Sequence, residues 1–276
     1  MSDFTDLTEP ALVTRLRTAG CVFAEDEARL LLDTARDQAE LAAMVDRRVD
    51  GQPLEHVLGW AEFCGLRIAV DAGVFVPRRR TEFLVQQAAA LGRPGAVVVD
   101  LCCGTGAIGA AVASLLGPVE LYAADIDPAA VGCARRNLAD LGGQVFVGDL
   151  FEPLPAALMG RIEILLANVP YVPTGQVGLL PAEARVHEPL VALDGGSDGL
   201  DVMRRVSAAA ARWLAPGGSL LVEAGEEQAQ QALAVFAGNG LVPRLAESDE
   251  LYATVVVGTR PGSPADPGAG GSTRVS

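Results

Sequence analysis

Short apolar runs alternate with longer amphipathic segments from residue 92 to residue 257. The first run is Val97 to Leu101, followed by a helical pattern from Thr105 to Leu116 and a second run from Glu120 to Ile126. Brief apolar runs bounded by turn residues are typical of buried strands, whereas longer segments with apolar residues at helical spacing predict helices. Strands that alternate with helices in this way require a mostly parallel sheet with helices on both faces.

The same alternation continues towards the end of the chain. We predict further helices at 128–141, 198–214 and 226–237, and further strands at 145–147, 162–167, 219–224, 241–247 and 252–257. The last two strands follow each other without a helix, so an antiparallel strand is expected to join the sheet. The predicted fold class is therefore α/β, with a mostly parallel seven-stranded sheet.

The first 91 residues have a different pattern. Apolar positions recur at helical spacing from about Glu9 to Ala19 and from Glu25 to about Val49. From Val57 to Arg78 strand-like segments surround glycines, which predicts a hairpin, and Glu82 to Leu91 is again helical. The predicted domains are a helical N-terminal domain at 1–52, a hairpin linker with a connecting helix at 53–91, the main domain at 92–260, and a disordered tail rich in Pro, Gly and Ser at 261–276.

Composition limits the classes of partner. The 35 acidic and 21 basic residues give a net charge of −14, which repels phosphate backbones, so we expect no direct nucleic-acid binding and favour a basic protein partner. No apolar run approaches the roughly 20 residues of a membrane span, and the chain starts with acidic residues, so a cytoplasmic location is expected. The 5 cysteines form no Cys-x-x-Cys pair, and with 2 histidines they indicate free thiols and no metal site.

A glycine-rich segment follows the first strand of the alternation and opens a helix. Glycines let the backbone approach a ligand closely, and a negative ligand group can sit at a helix N-terminus. The stretch from Gly104 to Gly109 matches G-x-G-x-x-G, which leaves a dinucleotide site and an adenosylmethionine site open. The candidate cofactor-binding residues here are Asp100, Cys102, Cys103, Gly104, Thr105 and Gly106.

The second strand ends in Asp125, about 20 residues beyond the glycine-rich segment, where a carboxylate can accept hydrogen bonds from both hydroxyls of a ribose. Asp127 precedes Pro128 and is better explained as the N-cap of the next helix, so ribose binding is assigned to Asp125. Asp149 and Leu150, just after the third strand, are further candidates for the nucleoside. The alternative for Asp149 is a solvated strand end.

The fourth strand ends in Asn168-Val169-Pro170-Tyr171, and ligands bind at such loops in open α/β sheets. Asn168 brings two donors and an acceptor, Pro170 keeps Val169 extended, and Tyr171 presents a flat face. Together these candidate catalytic residues can hold another planar amide or amino group. The alternative is an Asx turn that only ends the strand.

The glycine loop, Asp125 and the Asn-x-Pro-Tyr turn together resemble class I adenosylmethionine-dependent methyltransferases. Within that group the chain resembles the HemK-type protein glutamine N5-methyltransferases. The supporting stretches are Pro53 to Gly59, Phe75 to Arg78 with Thr81 and Glu82, the glycine loop, Asn168 to Tyr171, Glu188 to Leu190, Ala192 to Gly196, and Asp198 to Leu200. Two positions depart from the family pattern: Val169 stands where the family usually has Pro, and Cys102 where it usually has Gly.

The resemblance implies a Rossmann-like sheet and S-adenosyl-L-methionine as cofactor. It implies methyl transfer to the side-chain amide nitrogen of a glutamine in a protein. The substrates that the resemblance suggests are the Gly-Gly-Gln motif of peptide-chain release factors and a ribosomal protein. It also implies that the helical N-terminal domain recognises the substrate. Phe75 and Arg78 are candidates for the wall of the substrate site, whereas Arg79 and Arg80 are expected on a solvated turn.

Two other functions remain open from the sequence. The same Asn-x-Pro-Tyr turn can hold the exocyclic amino group of adenine while the base stacks on Tyr171, as in an adenine N6-methyltransferase acting on DNA or RNA. The acidic charge weighs against that function. The second alternative is a non-catalytic adenosylmethionine-binding or adaptor protein, in which the substitutions at Cys102 and Val169 have abolished catalysis. An NAD-dependent oxidoreductase fits worse, because it would not explain Asn168 to Tyr171.

Overall fold

The computed structural model describes residues 8–262, and its N-terminal part consists of four helices and a hairpin. The helices are α1 (Glu9–Thr18), α2 (Ala24–Thr34), α3 (Gln38–Val49) and α4 (Leu54–Leu58), and their apolar faces share one buried cluster. In the hairpin, β1 (Trp60–Phe63) pairs antiparallel with β2 (Leu66–Ala69). The two turn residues, Cys64 and Gly65, have φ values of 50° and 72°, as a type I′ two-residue turn requires.

The single helical segment predicted from Glu25 to about Val49 is wrong, because two helices occupy this range. The helix breaks after Thr34, and Asp37 caps α3 by accepting a hydrogen bond from the backbone N–H of Glu40 at 2.8 Å. The predicted hairpin from Val57 to Arg78 is too long, since strand pairing ends at Ala69. The predicted division into domains stays a prediction.

The sheet contains seven strands in the order β5-β4-β3-β6-β7-β9-β8. Neighbours from β5 to β7 are parallel, and β9 runs antiparallel to both β7 and β8. This confirms the predicted α/β class. The elements are α5 (Glu82–Leu91), β3 (Val97–Leu101), α6 (Ala107–Leu116), β4 (Glu120–Asp125), α7 (Pro128–Leu138), β5 (Gln144–Val147), β6 (Ile162–Ala167), α8 (Ala182–His187), α9 (Asp201–Trp213), β7 (Leu214–Ala224), α10 (Ala229–Gly238), β8 (Val242–Ser248) and β9 (Ala253–Thr259).

The central strand β3 is buried along its whole length because helices cover both faces of the sheet. Val98 packs in a cluster with residues of α5, α6 and α7. Val97 and Val99, which point to the other face, pack in a second cluster with residues of α9 and α10. Burial on both faces explains why the strand reads as a continuous apolar run.

The direction of the connections reverses between β3 and β6, and this reversal creates a crevice. From β3 the chain proceeds to β4 and β5 on one side, and then returns to place β6 on the other side of β3. Leu101 is paired with both Ala124 and Ala167, so Cys102, Asp125 and Asn168 leave the sheet at the same level. Ligands of open α/β sheets bind at such a reversal, outside the carboxyl ends of the strands.

Two predictions concern regions beyond the sheet. Among residues 8–262, no helix has both the length and the apolar character that crossing a bilayer requires. The tail predicted at 261–276 lies outside the described residues, apart from Pro261 and Gly262.

Candidate active site

A cavity opens where β3, β4 and β6 end. The loop after β3 lines it with Cys102 to Thr105, and Asp125 lines it at the end of β4. The turn after β6 contributes all four of its candidate catalytic residues, and Phe75 forms part of another wall. The structure therefore brings together predicted residues that lie almost 100 positions apart in the sequence.

Asn168 lines this cavity and carries a buried polar atom that has no partner within residues 8–262. Its Oδ1 atom is buried and accepts no hydrogen bond within residues 8–262. An acceptor left in this state costs about 1–3 kcal/mol. In an Asx turn, a nearby backbone N–H would donate a hydrogen bond to that oxygen. Asn168 Oδ1 has no such donor, so these residues do not form an Asx turn. Asn168 therefore lines the cavity with a side chain whose capacity to accept a hydrogen bond is not met by residues 8–262.

Asp125 is held in place by the backbone of two loops. Its Oδ2 accepts a hydrogen bond from the N–H of Gly104 at 2.8 Å, and its Oδ1 accepts one from the N–H of Asp127 at 2.9 Å. Each carboxylate oxygen keeps a further lone pair for a ligand hydroxyl. Desolvation by burial raises the pKa of Asp125 above its ordinary value. Asp127 also lines the cavity, and it caps α7 by accepting from the N–H of Ala129, as predicted.

The glycine loop has the backbone geometry that its sequence predicts, with one departure. Gly104 and Gly106 have φ values of 54° and 77°, in the left-handed region that glycine tolerates. Cys102 also lies in this region with a φ of 54°. A side chain there costs roughly 1–2 kcal/mol, which explains why glycine would suit the position better.

Two thiols line the cavity without being activated. Burial raises the pKa of both Cys102 and Cys103 well above the ordinary value, and the charge of Asp125 acts in the same direction. Both thiols are therefore protonated near neutral pH, and neither is suited to act as a nucleophile.

Three predicted cofactor residues lie outside the cavity lining. Asp100 is fully buried behind the loop, where its Oδ2 accepts a hydrogen bond from the N–H of Gly109 at 2.9 Å, and desolvation raises its pKa to about 7. Asp149 forms an ion pair with Arg205 at 2.6 Å, and Leu150 packs against the core on the α9 side of the sheet. Direct contact of these three residues with a cofactor stays a prediction.

The wall opposite the sheet is held by an ion pair between two distant segments. Glu188 accepts hydrogen bonds from the Arg78 guanidinium at 2.6 Å and from the N–H of Val76 at 3.1 Å. The Arg78 guanidinium also lies over the Phe75 ring, 4.9 Å from its centre. Pro189 and residues 191–193 line the cavity shortly after Glu188, so this network places the wall of the cavity.

Sequence reasoning missed several residues at this site. Thr81 lines the cavity with a buried hydroxyl that has no partner within residues 8–262, and Ile126 presents an apolar side chain beside Asp125. Arg80, expected on a solvated turn, pairs with the buried Glu223 at 2.9 Å and lies over the Tyr171 ring at 5.3 Å. A buried unpaired hydroxyl or a distant ion pair leaves no local signal in the sequence.

Comparison with known proteins adds independent findings. The family model for the methyltransferase small domain matches residues 65–188. A release factor glutamine methyltransferase from Geobacter sulfurreducens is 39% identical over 235 residues, which cover 83% of this chain and 82% of that protein. The corresponding protein of Mycolicibacterium smegmatis is 38% identical over 78% of each chain. These alignments span most of the described structure.

One further relative has a different name, and one solved structure is similar in fold. A Streptomyces pristinaespiralis protein named 4-amino-L-phenylalanine/4-methylamino-L-phenylalanine methyltransferase is 35% identical over 71% of this chain and 69% of its own. A solved methyltransferase structure from Pyrococcus furiosus superposes with a TM-score of 0.54 at 15% identity, covering 71% of this chain and 90% of that one. The latter likeness concerns the fold alone.

Proposed function

Because the chain belongs to the release factor glutamine methyltransferase family, we propose that it methylates the side-chain amide nitrogen of a glutamine in a release factor, with S-adenosyl-L-methionine as methyl donor. The observation that carries this proposal is the unpaired Asn168 Oδ1 in the cavity at the sheet reversal. A glutamine amide nitrogen has two N–H donors and can supply the hydrogen bond that Asn168 lacks.

The residues beside Asn168 fit the proposed cofactor. Asp125 offers free lone pairs for ribose hydroxyls, and Ile126 offers an apolar surface for an adenine ring. Gly104 has open space at the position of a missing Cβ, so a ligand can approach its backbone. S-adenosyl-L-methionine supplies, when bound, a methyl group that is electrophilic because it is attached to a positively charged sulfur.

The task of the protein is to position a weak nucleophile. The lone pair of an amide nitrogen is delocalised into its carbonyl group, and it must be aimed at the methyl carbon. Asn168 Oδ1 accepts one N–H of the glutamine and the backbone oxygen of Val169 accepts the other, so the nitrogen is held in one orientation. Orientation of this kind supplies about 7–11 kcal/mol in favourable cases.

Tyr171 and Phe75 also help to orient the glutamine amide. Both line the cavity, and their aromatic faces suit packing against a planar amide. Arg80 over the Tyr171 ring and Arg78 over the Phe75 ring restrict how the two rings can turn. Because the proton can leave nitrogen after the methyl group has arrived, no lining carboxylate has to act as a base beforehand.

The proposal is tested by offering competing acceptors to the purified protein with methyl-labelled S-adenosyl-L-methionine. The acceptors are an intact release factor, 4-amino-L-phenylalanine, and an adenine-containing oligonucleotide. We expect label in the release factor, located by mass spectrometry on one glutamine. Label only in the amino acid or in the oligonucleotide would refute the proposed substrate. Cofactor binding without methyl transfer to any of the three acceptors would favour a non-catalytic protein.

A further inference from the structure

A second cavity adjoins the active site and shares Tyr171 with it. Tyr171 and Arg80 line it, β7 contributes Glu223, and the hairpin formed by β8 and β9 contributes Glu247 and Asp249. We call this cavity the acidic groove. Since Tyr171 belongs to both cavities, a chain that places a side chain beside Asn168 can continue directly into the groove.

The groove is lined by four carboxylates and one cation. Glu223, Glu226, Glu247 and Asp249 line it, and Arg80 is the only positively charged residue that does so in the described part of the chain. Glu226, Glu247 and Asp249 are exposed. The potential inside the groove is therefore negative, which favours a cation and disfavours a phosphate or a carboxylate.

The burial of Glu223 distinguishes this groove from a solvated acidic surface. Its side chain is only 4% exposed, and its Oε1 pairs with the Nε atom of Arg80 at 2.9 Å. Its Oε2 is buried and has no partner within residues 8–262. A buried carboxylate oxygen without a donor is costly, so Glu223 lines the groove with a capacity to accept a hydrogen bond that residues 8–262 do not meet.

An exposed aromatic ring lies at the rim of the same groove. Tyr252 is 89% exposed and has a φ of 48°, so the hairpin presents the ring to solvent in a backbone conformation that L-residues rarely adopt. An aromatic face next to carboxylates suits an arginine or lysine side chain, because the ring attracts the cation and the carboxylates pair with it.

We propose that the acidic groove binds an arginine or lysine side chain of the protein substrate, a few residues away from the glutamine that is methylated. This inference rests on the proposed function, since it assumes that a protein chain enters the active site. A metal ion is a poorer occupant, because residues 8–262 contain no group of three or more His, Cys, Asp or Glu placed to hold one. The net charge of −14 also favours a basic partner.

The test compares two double variants that remove the same charge. Glu247→Gln with Asp249→Asn neutralises exposed groove carboxylates, whereas Glu227→Gln with Glu250→Gln neutralises exposed neighbours that do not line the groove. The substrate is an intact release factor and a series of its variants, in which each arginine or lysine near the methylated glutamine is replaced by glutamine. The readouts are kcat and KM for methylation, and the Kd for S-adenosyl-L-methionine.

We expect the groove variant to lower kcat/KM by about 3–10-fold, mainly through KM, because exposed ion pairs contribute little individually. The control variant should change kcat/KM less than twofold, and the cofactor Kd should be unchanged in both. One substrate variant should lower kcat/KM with the parent enzyme but have little further effect with the groove variant.

The outcomes separate the two proposals. If the parent enzyme methylates the release factor while the groove and control variants have the same kcat/KM, the groove proposal is refuted and the proposed function stands. If the effects of enzyme and substrate substitutions simply multiply, the groove does not bind the replaced side chain. If the parent protein does not methylate the release factor, the proposed function itself fails.

Discussion

Replacement of Asn168 by alanine should separate catalysis from stability. The side chain accepts no hydrogen bond at Oδ1 within residues 8–262, so its removal leaves no protein donor without a partner. A side chain that serves the fold would lower stability when truncated. A side chain kept for the substrate should instead lower activity while stability is retained or raised.

The magnitudes follow from the burial of that oxygen. Loss of the unpaired acceptor relieves about 1–3 kcal/mol, and loss of the packing of a half-buried side chain offsets part of this gain. We expect a net gain of up to about 2 kcal/mol, which raises Tm by roughly 2–4 °C per kcal/mol for a chain of this size. The kcat should fall at least about 100-fold, as for other residues that position a reacting group.

The assay combines thermal unfolding, calorimetric titration of S-adenosyl-L-methionine and methylation of an intact release factor. Asn239→Ala is the matched control, because the Asn239 amide donates to Ser207 at 3.1 Å and to the backbone of Val235 at 3.0 Å, and Asn239 is not among the residues lining the cavity. The control should lose about 1 kcal/mol of stability and keep its kcat. Parallel loss of stability, cofactor affinity and activity in Asn168→Ala would refute the reasoning.

Three further predictions concern residues around the site. Asp125→Ala should weaken S-adenosyl-L-methionine binding about tenfold or more in a calorimetric titration, and it should also lower Tm, because the N–H groups of Gly104 and Asp127 lose their acceptor. Burial raises the pKa of Asp100 to about 7, so the stability that its protonation contributes is fully present below about pH 4 and is lost as the pH rises to about 7. An asparagine has no charge to lose at this position, so the stability of Asp100→Asn relative to the parent should increase over that pH range. The increase in the free energy of unfolding should reach up to about 4 kcal/mol and should appear as a higher Tm. Glu27→Gln should cost about 1.5–3 kcal/mol in urea unfolding, because it weakens the charged hydrogen bonds of the buried Arg48, which keeps Glu183 as its remaining charged partner. Glu183→Gln should cost below about 1 kcal/mol, since Glu183 is half exposed.

Where local chemistry is decisive, the predictions agree with the structure. The strand from Ile162 to Ala167 has the predicted bounds because its apolar run ends in a polar turn. Asp127 caps α7 because a carboxylate before Pro128 satisfies the first free N–H groups of a helix. The break between α2 and α3 was missed although Asp37 supplies a similar cap, because the apolar spacing continues across it.

The sequence by itself determined the alternation of strands and helices, the glycine loop and the turn from Asn168 to Tyr171, since burial pattern and turn chemistry are properties of neighbouring residues. Only the tertiary structure decided that Asp100 lies behind the loop while Asp125 faces the cavity. It also brought Glu188 to Arg78 and Glu223 to Arg80. Those pairings depend on strand order and on where each loop crosses the sheet edge, and no short-range pattern carries that information.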